Sequence, residues 1–358
     1  MELTTTLTTG ALTTIWTDRS EPFVVAGPCS AESADQVMET ALALKKKGGV
    51  HLFRAGIWKP RTSPGNFEGY GPKALPWLAA AKAATGLPMG VEVAMPKHID
   101  LCLAHNVDVV WLGARTTVNP FYVQELAEAL RGVDIPVMVK NPINPQVGLW
   151  AGAIERLTQC GVKDIVNIHR GFSVNTKSQF RNAPLWEIPE AMQARFPGIP
   201  MISDPSHIAG KRSLIAELAQ QTAWQAMDGL MVEVHPNPGE ALSDAKQQLT
   251  PEDFWQVIEE LDWRIPDTKQ ASLQRQRHEI DALDTELLQL LARRAALAKE
   301  LGAIKQAKGW PILQSDRWQE VLNNRIQQGK NLALSEQFVR DLFKEIHRES
   351  LAIQRLGV

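Results

Sequence analysis

Six cationic side chains follow short apolar segments in the first 265 residues of the chain. One such charge is usually a solvated loop residue, but several that meet at one place repel each other unless anions bind among them. Arginine also binds phosphate and carboxylate groups through two parallel hydrogen bonds. The sequence therefore predicts a site for small substrates with several negative groups. The cations are Arg54, Lys59, Arg61, Arg115, Lys140 and Arg170.

Four other residues carry side chains that bind metals: Cys29, His207, Glu233 and Asp244. Each also has an ordinary interpretation, as a small buried residue, a core imidazole or a partner of an arginine. A mixed set of sulfur, nitrogen and oxygen ligands fits Mn²⁺, Fe²⁺, Co²⁺ or Zn²⁺ better than Mg²⁺ or Ca²⁺. No HExxH or paired CxxC motif fixes the geometry, so spacing alone leaves both interpretations open.

Eight short β-branched runs precede these residues, and helix-like stretches such as 33–47, 120–132 and 213–224 separate them. Eight strand–helix units in about 265 residues are typical of a (β/α)8 TIM barrel, whose strands converge at their carboxyl ends on one mouth. A doubly wound sheet is the alternative, but its chemistry would cluster at one switch point rather than follow nearly every strand. The predicted strands lie at 23–27, 51–56, 88–94, 107–114, 136–141, 164–171, 201–207 and 229–235.

Composition narrows the class of protein. A net charge of −2 argues against a nucleic-acid binder with a basic surface. No run approaches the length of a membrane span, and the first residues lack the features of a signal peptide. Three cysteines without a CxxC pair indicate a reducing, cytoplasmic environment. Glycine and proline become scarce after residues 264–270, which predicts a change from a turn-rich domain to an almost purely helical one.

The last part of the chain has an apolar helical pattern over residues 270–307, which Gly309 and Pro311 end. Two further helices are predicted at about 315–328 and 335–355. A helix of roughly 55 Å is too long for so small a domain to bury alone. We therefore expect an intertwined helical dimer, and a coiled-coil-like module with solvated charges remains the alternative.

The motifs of the first part resemble type I DAHP (3-deoxy-7-phosphoheptulonate) synthase in its compact branch, over about residues 15–263. They are GPCS, FRAGIWKPRTSP, GAR, HRG, DPSH and EVHPNPGEALSDAKQQL. The resemblance implies a condensation of phosphoenolpyruvate with erythrose 4-phosphate. A metal-dependent aldolase that takes another sugar phosphate is a weaker alternative.

The same resemblance implies roles for individual residues. Cys29, His207, Glu233 and Asp244 would bind the divalent metal, with Mn²⁺ favoured over Co²⁺, Fe²⁺ or Zn²⁺. Arg54 and Lys140 would bind the phosphoenolpyruvate carboxylate, and Arg115 and Arg170 its phosphate. Arg61 and Thr62 would bind the aldose phosphate, and Lys59 would lie at the reacting carbons. We also expect Glu92 to handle the attacking water.

The helical part, from Arg277 to Gln354, resembles the all-helical chorismate mutase family, which rearranges chorismate to prephenate. By this resemblance Arg294 and Arg317 bind substrate carboxylates, Lys305 and Gln354 address the ether oxygen, Ser350 assists, and Arg277 reaches the partner subunit's site. The chain departs from the family at Gln314 and Trp318, where carboxylates are common. Trp318 favours the alternative that this domain only senses chorismate or prephenate.

Together these features predict a bifunctional shikimate-pathway enzyme. The expected parts are a synthase barrel at 1–263, a linker at 264–270 and a mutase domain at 271–358. The expected partners are the small substrates and a second copy of the chain, with neither nucleic acid nor membrane. We also expect a ligand of the mutase domain to inhibit the synthase by feedback.

Overall fold

The computed structural model describes residues 21–60, 65–175, 178–263 and 268–356. The chain divides into two compact units, Met1–Ala271 and Ser272–Val358. The segment expected to be a linker lies partly outside the described residues, and a helix that crosses the boundary between the units, Thr268–Ala307, begins within that segment. Among the described residues, no helix has both the length and the apolar character that a membrane crossing requires.

The first unit is a closed barrel of eight parallel strands in chain order, in which the last strand pairs with the first. Each strand lies inside a run predicted from the sequence, so the TIM barrel is confirmed and the doubly wound sheet is excluded. Seven of the strands end one to four residues before the predicted run does, and the first strand ends with its run. They are β1 (Phe23–Gly27), β2 (Leu52–Arg54), β3 (Met89–Val93), β4 (Val109–Leu112), β5 (Val137–Lys140), β6 (Ile165–His169), β7 (Met201–Ser203) and β8 (Gly229–Glu233).

Helices cover the outside of the barrel. A large apolar layer lies between strands and helices, and a smaller cluster fills the barrel interior around Trp111, Met138 and Met231. The helices are α1 (Ala34–Lys45), α2 (Leu75–Thr85), α3 (Pro96–Ala104), α4 (Ala114–Thr117), α5 (Pro120–Ala129), α6 (Val147–Gln159), α7 (Glu187–Arg195), α8 (Pro205–Ala209), α9 (Ile215–Trp224) and α10 (Pro251–Glu260).

Two of these helices are very short and were not predicted, and both begin directly after a strand. At the start of α8, the Asp204 carboxylate accepts a hydrogen bond of 3.0 Å from the His207 backbone N–H, and Pro205 occupies the first turn. Proline suits this position because a backbone N–H in the first turn of a helix has no hydrogen-bond partner within the helix. The N–H that proline lacks is therefore not missed there. The DPSH sequence thus forms a capped turn that fixes His207 at the mouth.

The second unit consists of α11 (Thr268–Ala307), α12 (Ser315–Asn331) and α13 (Glu336–Leu356). All three agree with the helices predicted from the sequence. A small core of Leu322, Ile326 and Val339 joins α12 and α13. The helix α11 instead leaves most of its leucines exposed, with Leu288 at 67% and Leu301 at 47%.

Candidate active sites

The carboxyl ends of the barrel strands carry most of the residues that the sequence singled out. Arg54, Lys140 and Glu233 are the last residues of β2, β5 and β8, and Arg170 follows β6 directly. Because β1 pairs with both β2 and β8, Gly27 lies beside Glu233, and Ala26 lies beside Phe53, the residue before Arg54. The topology therefore gathers these side chains at one mouth.

Three of the four predicted metal ligands form a tight cluster. Ligand atoms of Cys29, Glu233 and Asp244 all lie within 4.8 Å of one another. The Cys29 thiol donates to Oδ2 of Asp244 at 3.4 Å, and Nζ of Lys59 lies 3.3 Å from the Cys29 sulfur. Burial, followed by the negative charge of Glu233, raises the pKa of the Cys29 thiol to about 12. A thiol in this position becomes a thiolate only with a strong positive charge beside it, which fits a divalent metal ion.

His207, the fourth predicted ligand, lies beside this cluster rather than within it. Its Nε2 is 3.8 Å from Oε1 of Glu233, and its Nδ1 is 2.8 Å from Oδ2 of Asp204. A carboxylate at the far nitrogen is the usual partner that orients a metal-binding histidine. The donor set therefore fits a sulfur-, nitrogen- and oxygen-liganded divalent ion.

Charges around the cluster keep its carboxylates ionised. Burial alone would raise the pKa of Glu233, but His207 and Arg54 lower it overall. Burial would likewise raise the pKa of Asp244, and His207 and Arg181 bring it well below its usual range. Both side chains are therefore acceptors, as metal coordination requires.

Two buried ion pairs cross the mouth. Arg54 donates to Glu233 at 2.7 Å and Lys140 donates to Asp204 at 2.8 Å, and all four side chains are at most 5% exposed. Burial would lower the pKa of Arg54, but the Glu233 carboxylate and the other acidic groups nearby together raise it. Asp204 is held well below its usual pKa, against the effect of burial, by His207 and Lys140. The predicted substrate-binding cations thus also hold the carboxylates in place.

The substitution Arg54→Met should lower the free energy of unfolding of the barrel by about 3–5 kcal/mol, because it leaves Glu233 as a buried charge without its arginine. The change is measurable as a shift in the urea midpoint of intrinsic tryptophan fluorescence. Lys47→Met is the control, since its pair with Glu259 is exposed on both sides and such pairs contribute about 0–1 kcal/mol. Equal shifts for the two variants would contradict this assignment.

Three arginines after β4 and β6 form a positively charged wall at the mouth: Arg115, Arg170 and Arg181. Arg170 is buried and donates to Asn182 at 2.8 Å. Burial lowers the pKa of Arg170 to about 10. The positive charges of Arg181 and Arg115 also lower it, while the negative charge of Asp204 acts in the opposite direction. Arg115 is exposed at the start of α4. Like charges this close favour an anion between them.

Arg181 is a site residue that the sequence analysis missed. Its Nη1 donates to Asp244 at 3.0 Å and to Gln247 at 2.7 Å. It lies in the loop after β6, eleven residues beyond Arg170, and no local pattern distinguishes it from a solvated loop charge. The one signal for Arg181 in the sequence is that it follows the same strand as Arg170, whose position at a strand end predicts a place at the mouth. The predicted residues Arg61 and Thr62 lie outside the described part of the chain.

Glu92, the residue expected to handle water, lies near the end of β3. Its Oε2 accepts a hydrogen bond of 3.1 Å from the indole N–H of Trp111. A Cβ atom on Gly113 would come within 2.1 Å of Oε1 of Glu92. The glycine of the GAR motif therefore leaves the space that this carboxylate occupies.

The helical unit brings together four of its predicted site residues. Arg294 on α11 donates to the hydroxyl of Ser350 on α13. Lys305 donates to the carbonyl of Ile312 at 2.7 Å and to Oε1 of Gln354 at 3.3 Å. Lys305, Ser350 and Gln354 are all buried. Two donors on α11 thus face two polar residues spaced one turn apart on α13.

The other predicted residues of this unit are exposed or differently engaged. Arg277 is exposed, and Arg317 is exposed and pairs with Glu320 at 2.5 Å. The Trp318 ring stacks on His347 with centroids 3.9 Å apart. Gln314 is the residue before α12, without a side-chain capping bond. Trp318 therefore offers a flat apolar surface where the family pattern has an acceptor.

The fold and mouth define a (β/α)8 barrel enzyme for small anionic substrates, joined to an all-helical domain. Residues 6–267 match the DAHP synthetase I family, and residues 276–355 match chorismate mutase type II. The chain belongs to the DAHP synthetase I family and carries a chorismate mutase domain after its barrel. It is a bifunctional shikimate-pathway enzyme, as the sequence motifs predicted.

Individual relatives support this assignment for the barrel. The chain is 31% identical over 242 residues to phospho-2-dehydro-3-deoxyheptonate aldolase of Thermotoga maritima, covering 66% of this chain and 68% of the relative. It is 27% identical over 245 residues to 2-dehydro-3-deoxyphosphooctonate aldolase of Nitratidesulfovibrio vulgaris, covering 62% and 84%. The crystal structure of a Thermotoga maritima DAHP synthase superposes with a TM-score of 0.60 at 28% identity, covering 67% of this chain and 68% of that one.

Proposed function

We propose that the barrel condenses phosphoenolpyruvate with erythrose 4-phosphate to DAHP at this mouth. The observation that carries the proposal is that three buried cations, Arg54, Lys140 and Arg170, lie at the same strand ends as the cluster of Cys29, Glu233 and Asp244. These cations match the several negative charges of the two substrates, and the cluster offers ligands for a metal. Positioning of this kind lowers the barrier because the two carbons meet in a near-attack arrangement.

Different cationic residues bind different groups of the two substrates. Arg54 and Lys140 bind the carboxylate of phosphoenolpyruvate, and Arg115 and Arg170 of the positively charged wall bind its phosphate. Arg61 and Thr62, which lie outside the described residues, bind the aldose phosphate. Lys59 lies at the reacting carbons, beside the sulfur of Cys29.

The reaction forms a bond from C3 of phosphoenolpyruvate to the aldehyde carbon of the aldose. Water then adds at C2, and phosphate leaves with its oxygen by cleavage of the C2–O bond. Glu92 orients this water and takes its proton. Its fixed hydrogen bond to Trp111 supports this role because it leaves Oε1 available for the water.

The metal ligands in this proposal are Cys29, His207, Glu233 and Asp244. A divalent ion held there, with Mn²⁺ favoured over Co²⁺, Fe²⁺ or Zn²⁺, supplies Lewis acidity to the erythrose 4-phosphate aldehyde. Lys59 and Arg181 balance the negative charge that the ligands bring together.

The helical domain rearranges chorismate to prephenate, a reaction that needs a bound conformer and positive charge at the breaking ether bond. Lys305 and Gln354 address that oxygen, Arg294 and Arg317 bind carboxylates, and Ser350 holds Arg294. Arg277 completes the site of a second copy. A non-catalytic sensing domain is the second candidate, favoured by the apolar stack of Trp318 on His347.

We propose that a second copy of the chain covers the apolar face of α11. Leu283, Leu290, Leu297 and Ile304 are each at least half exposed in one copy. Burying a leucine or isoleucine side chain stabilises an assembly by about 1.5–3 kcal/mol, so four of them favour association strongly. The dimer also brings Arg277 to the partner subunit, where the mutase family requires it.

The proposed function is tested by two separate assays of the purified chain. Loss of phosphoenolpyruvate in the presence of erythrose 4-phosphate reports the synthase, and loss of chorismate reports the mutase. We expect both. A chain that consumes phosphoenolpyruvate but leaves chorismate unchanged would be the synthase with a sensing domain.

Prephenate should inhibit the synthase of the full-length chain, because a product that binds one state of the protein more tightly shifts its population. A coupling of about 1–3 kcal/mol corresponds to a change of about 5–150-fold in affinity. The measurement is the synthase rate against prephenate concentration. Arg294→Ala should remove the inhibition and leave the uninhibited rate unchanged, whereas Arg293→Ala, its exposed neighbour, should stay inhibited. Unchanged inhibition of Arg294→Ala would place the sensor elsewhere.

A further inference from the structure

Two consecutive glutamines after β8, Gln247 and Gln248, are completely enclosed at the mouth, with exposures of 1% and 0%. Neither was assigned a role by the motifs, and neither side chain carries a charge or a metal-binding atom of the usual kind. A buried carboxamide is costly unless its donor and acceptor both find partners. The partners of these two side chains show what they do.

Gln247 joins Glu233 to Arg181. Its Nε2 donates to Oε2 of Glu233 at 2.7 Å, and its Oε1 accepts from Nη1 of Arg181 at 2.7 Å. The same Nη1 donates to Oδ1 of Asp244 at 3.0 Å. The other oxygen of Glu233 is held by Arg54. One amide thereby fixes the rotation of the Glu233 carboxylate and, through Arg181, that of Asp244.

Gln248 joins the loop after β1 to the loop after β8. Its Oε1 accepts from the backbone N–H of Cys29 at 2.9 Å, and its Nε2 donates to the carbonyl of Ser243 at 2.8 Å. Ser243 precedes Asp244, which adopts a left-handed backbone conformation with φ of 49°. A non-glycine residue keeps such a conformation only where its surroundings hold it. Gln248 therefore sets the distance between the Cys29 and Asp244 backbones.

We propose that Gln247 and Gln248 are positioning residues that hold Cys29, Glu233 and Asp244 in their ligating arrangement before the metal binds. The inference rests on the metal site in the proposed function. The two amides contact different ligands, so each acts on its own part of the cluster. The loss of a hydrogen-bond partner of a metal ligand typically lowers metal affinity by about 10–100-fold.

The test is a Co²⁺ titration of the metal-free protein, followed by the near-ultraviolet thiolate-to-cobalt absorption that reports a bond to Cys29. Gln247→Asn and Gln248→Asn keep the amide but shorten its reach, so it cannot contact both partners. We expect each to raise the Kd for Co²⁺ by about 10–100-fold. Gln220→Asn is the matched control, because Gln220 bridges the backbone N–H and carbonyl of Asp262 on the outside of the barrel, and its Kd should equal that of the wild type.

A merely structural role would shift the urea midpoint of the metal-free protein and leave the Kd of the folded protein unchanged. Kd values within about twofold of the wild type for both variants would therefore overturn the inference. If an Asn variant does not fold, the Met variant at the same residue keeps the length, and the same rise in Kd is expected. A wild-type protein without thiolate-to-cobalt absorption would instead overturn the metal site itself, and this inference with it.

Discussion

Cys29→Ala should reduce DAHP synthase activity by at least about 1,000-fold, because Lewis-acid catalysis contributes several kcal/mol to the barrier and each 1.4 kcal/mol is tenfold in rate. The substitution removes the only sulfur from the cluster with Glu233 and Asp244. Mutase activity should stay within about twofold of the wild type, since Lys305 and Gln354 are unchanged. The measurement is the initial rate of each reaction on the same preparation.

Cys102→Ala is the matched control for this substitution. Cys102 is also fully buried, and burial raises its pKa to about 12 as well. It lies on α3 within the apolar layer between strands and helices. If Cys102→Ala lost as much synthase activity as Cys29→Ala, the loss would reflect packing, and the role of Cys29 as a ligand would be wrong.

Lys305→Ala should have the largest effect on the second activity. The substitution removes a buried ammonium group that contacts Gln354 and that, in the proposed function, faces the charge developing at the ether oxygen. The loss of one such donor typically costs about 3–4 kcal/mol, or about 10²–10³-fold in kcat. Chorismate consumption should fall by this factor, while synthase activity at saturating substrates stays unchanged.

Lys299→Ala is the control for this prediction because Lys299 lies on the same helix with an exposed side chain. Its mutase activity should equal that of the wild type. An active Lys305→Ala enzyme would contradict the role given to Lys305. A wild type without chorismate turnover, which is nevertheless inhibited by prephenate, would favour the sensing domain.

The strands and the strand-end residues could be predicted because local pattern sets them. An apolar run of β-branched residues that ends at a polar residue, as at Arg54 or Lys140, identifies both the strand and its mouth-facing end. The helical unit was predictable for the same reason, since a repeat of three and four residues fixes the faces of Arg294 and Lys305. Such features depend on neighbours in sequence.

The pairings within the site could not be predicted, because they depend on closure of the barrel. Arg54 and Glu233 meet only because β1 pairs with β2 on one side and β8 on the other. The pair of Lys140 with Asp204 joins β5 to the residue after β7, across the intervening strand β6. Arg181, which lies between β6 and α7, has no periodic neighbour in sequence that would indicate its contact with Asp244.

We propose that one chain holds a metal-dependent synthase and a metal-independent mutase, and removal of the metal from one preparation tests this proposal most directly. Both activities are measured before treatment with EDTA, after removal of the chelator, and again after addition of Mn²⁺ or Co²⁺. We predict that synthase activity disappears and returns with the metal, while mutase activity stays constant throughout. Full synthase activity in the metal-stripped chain would contradict the account.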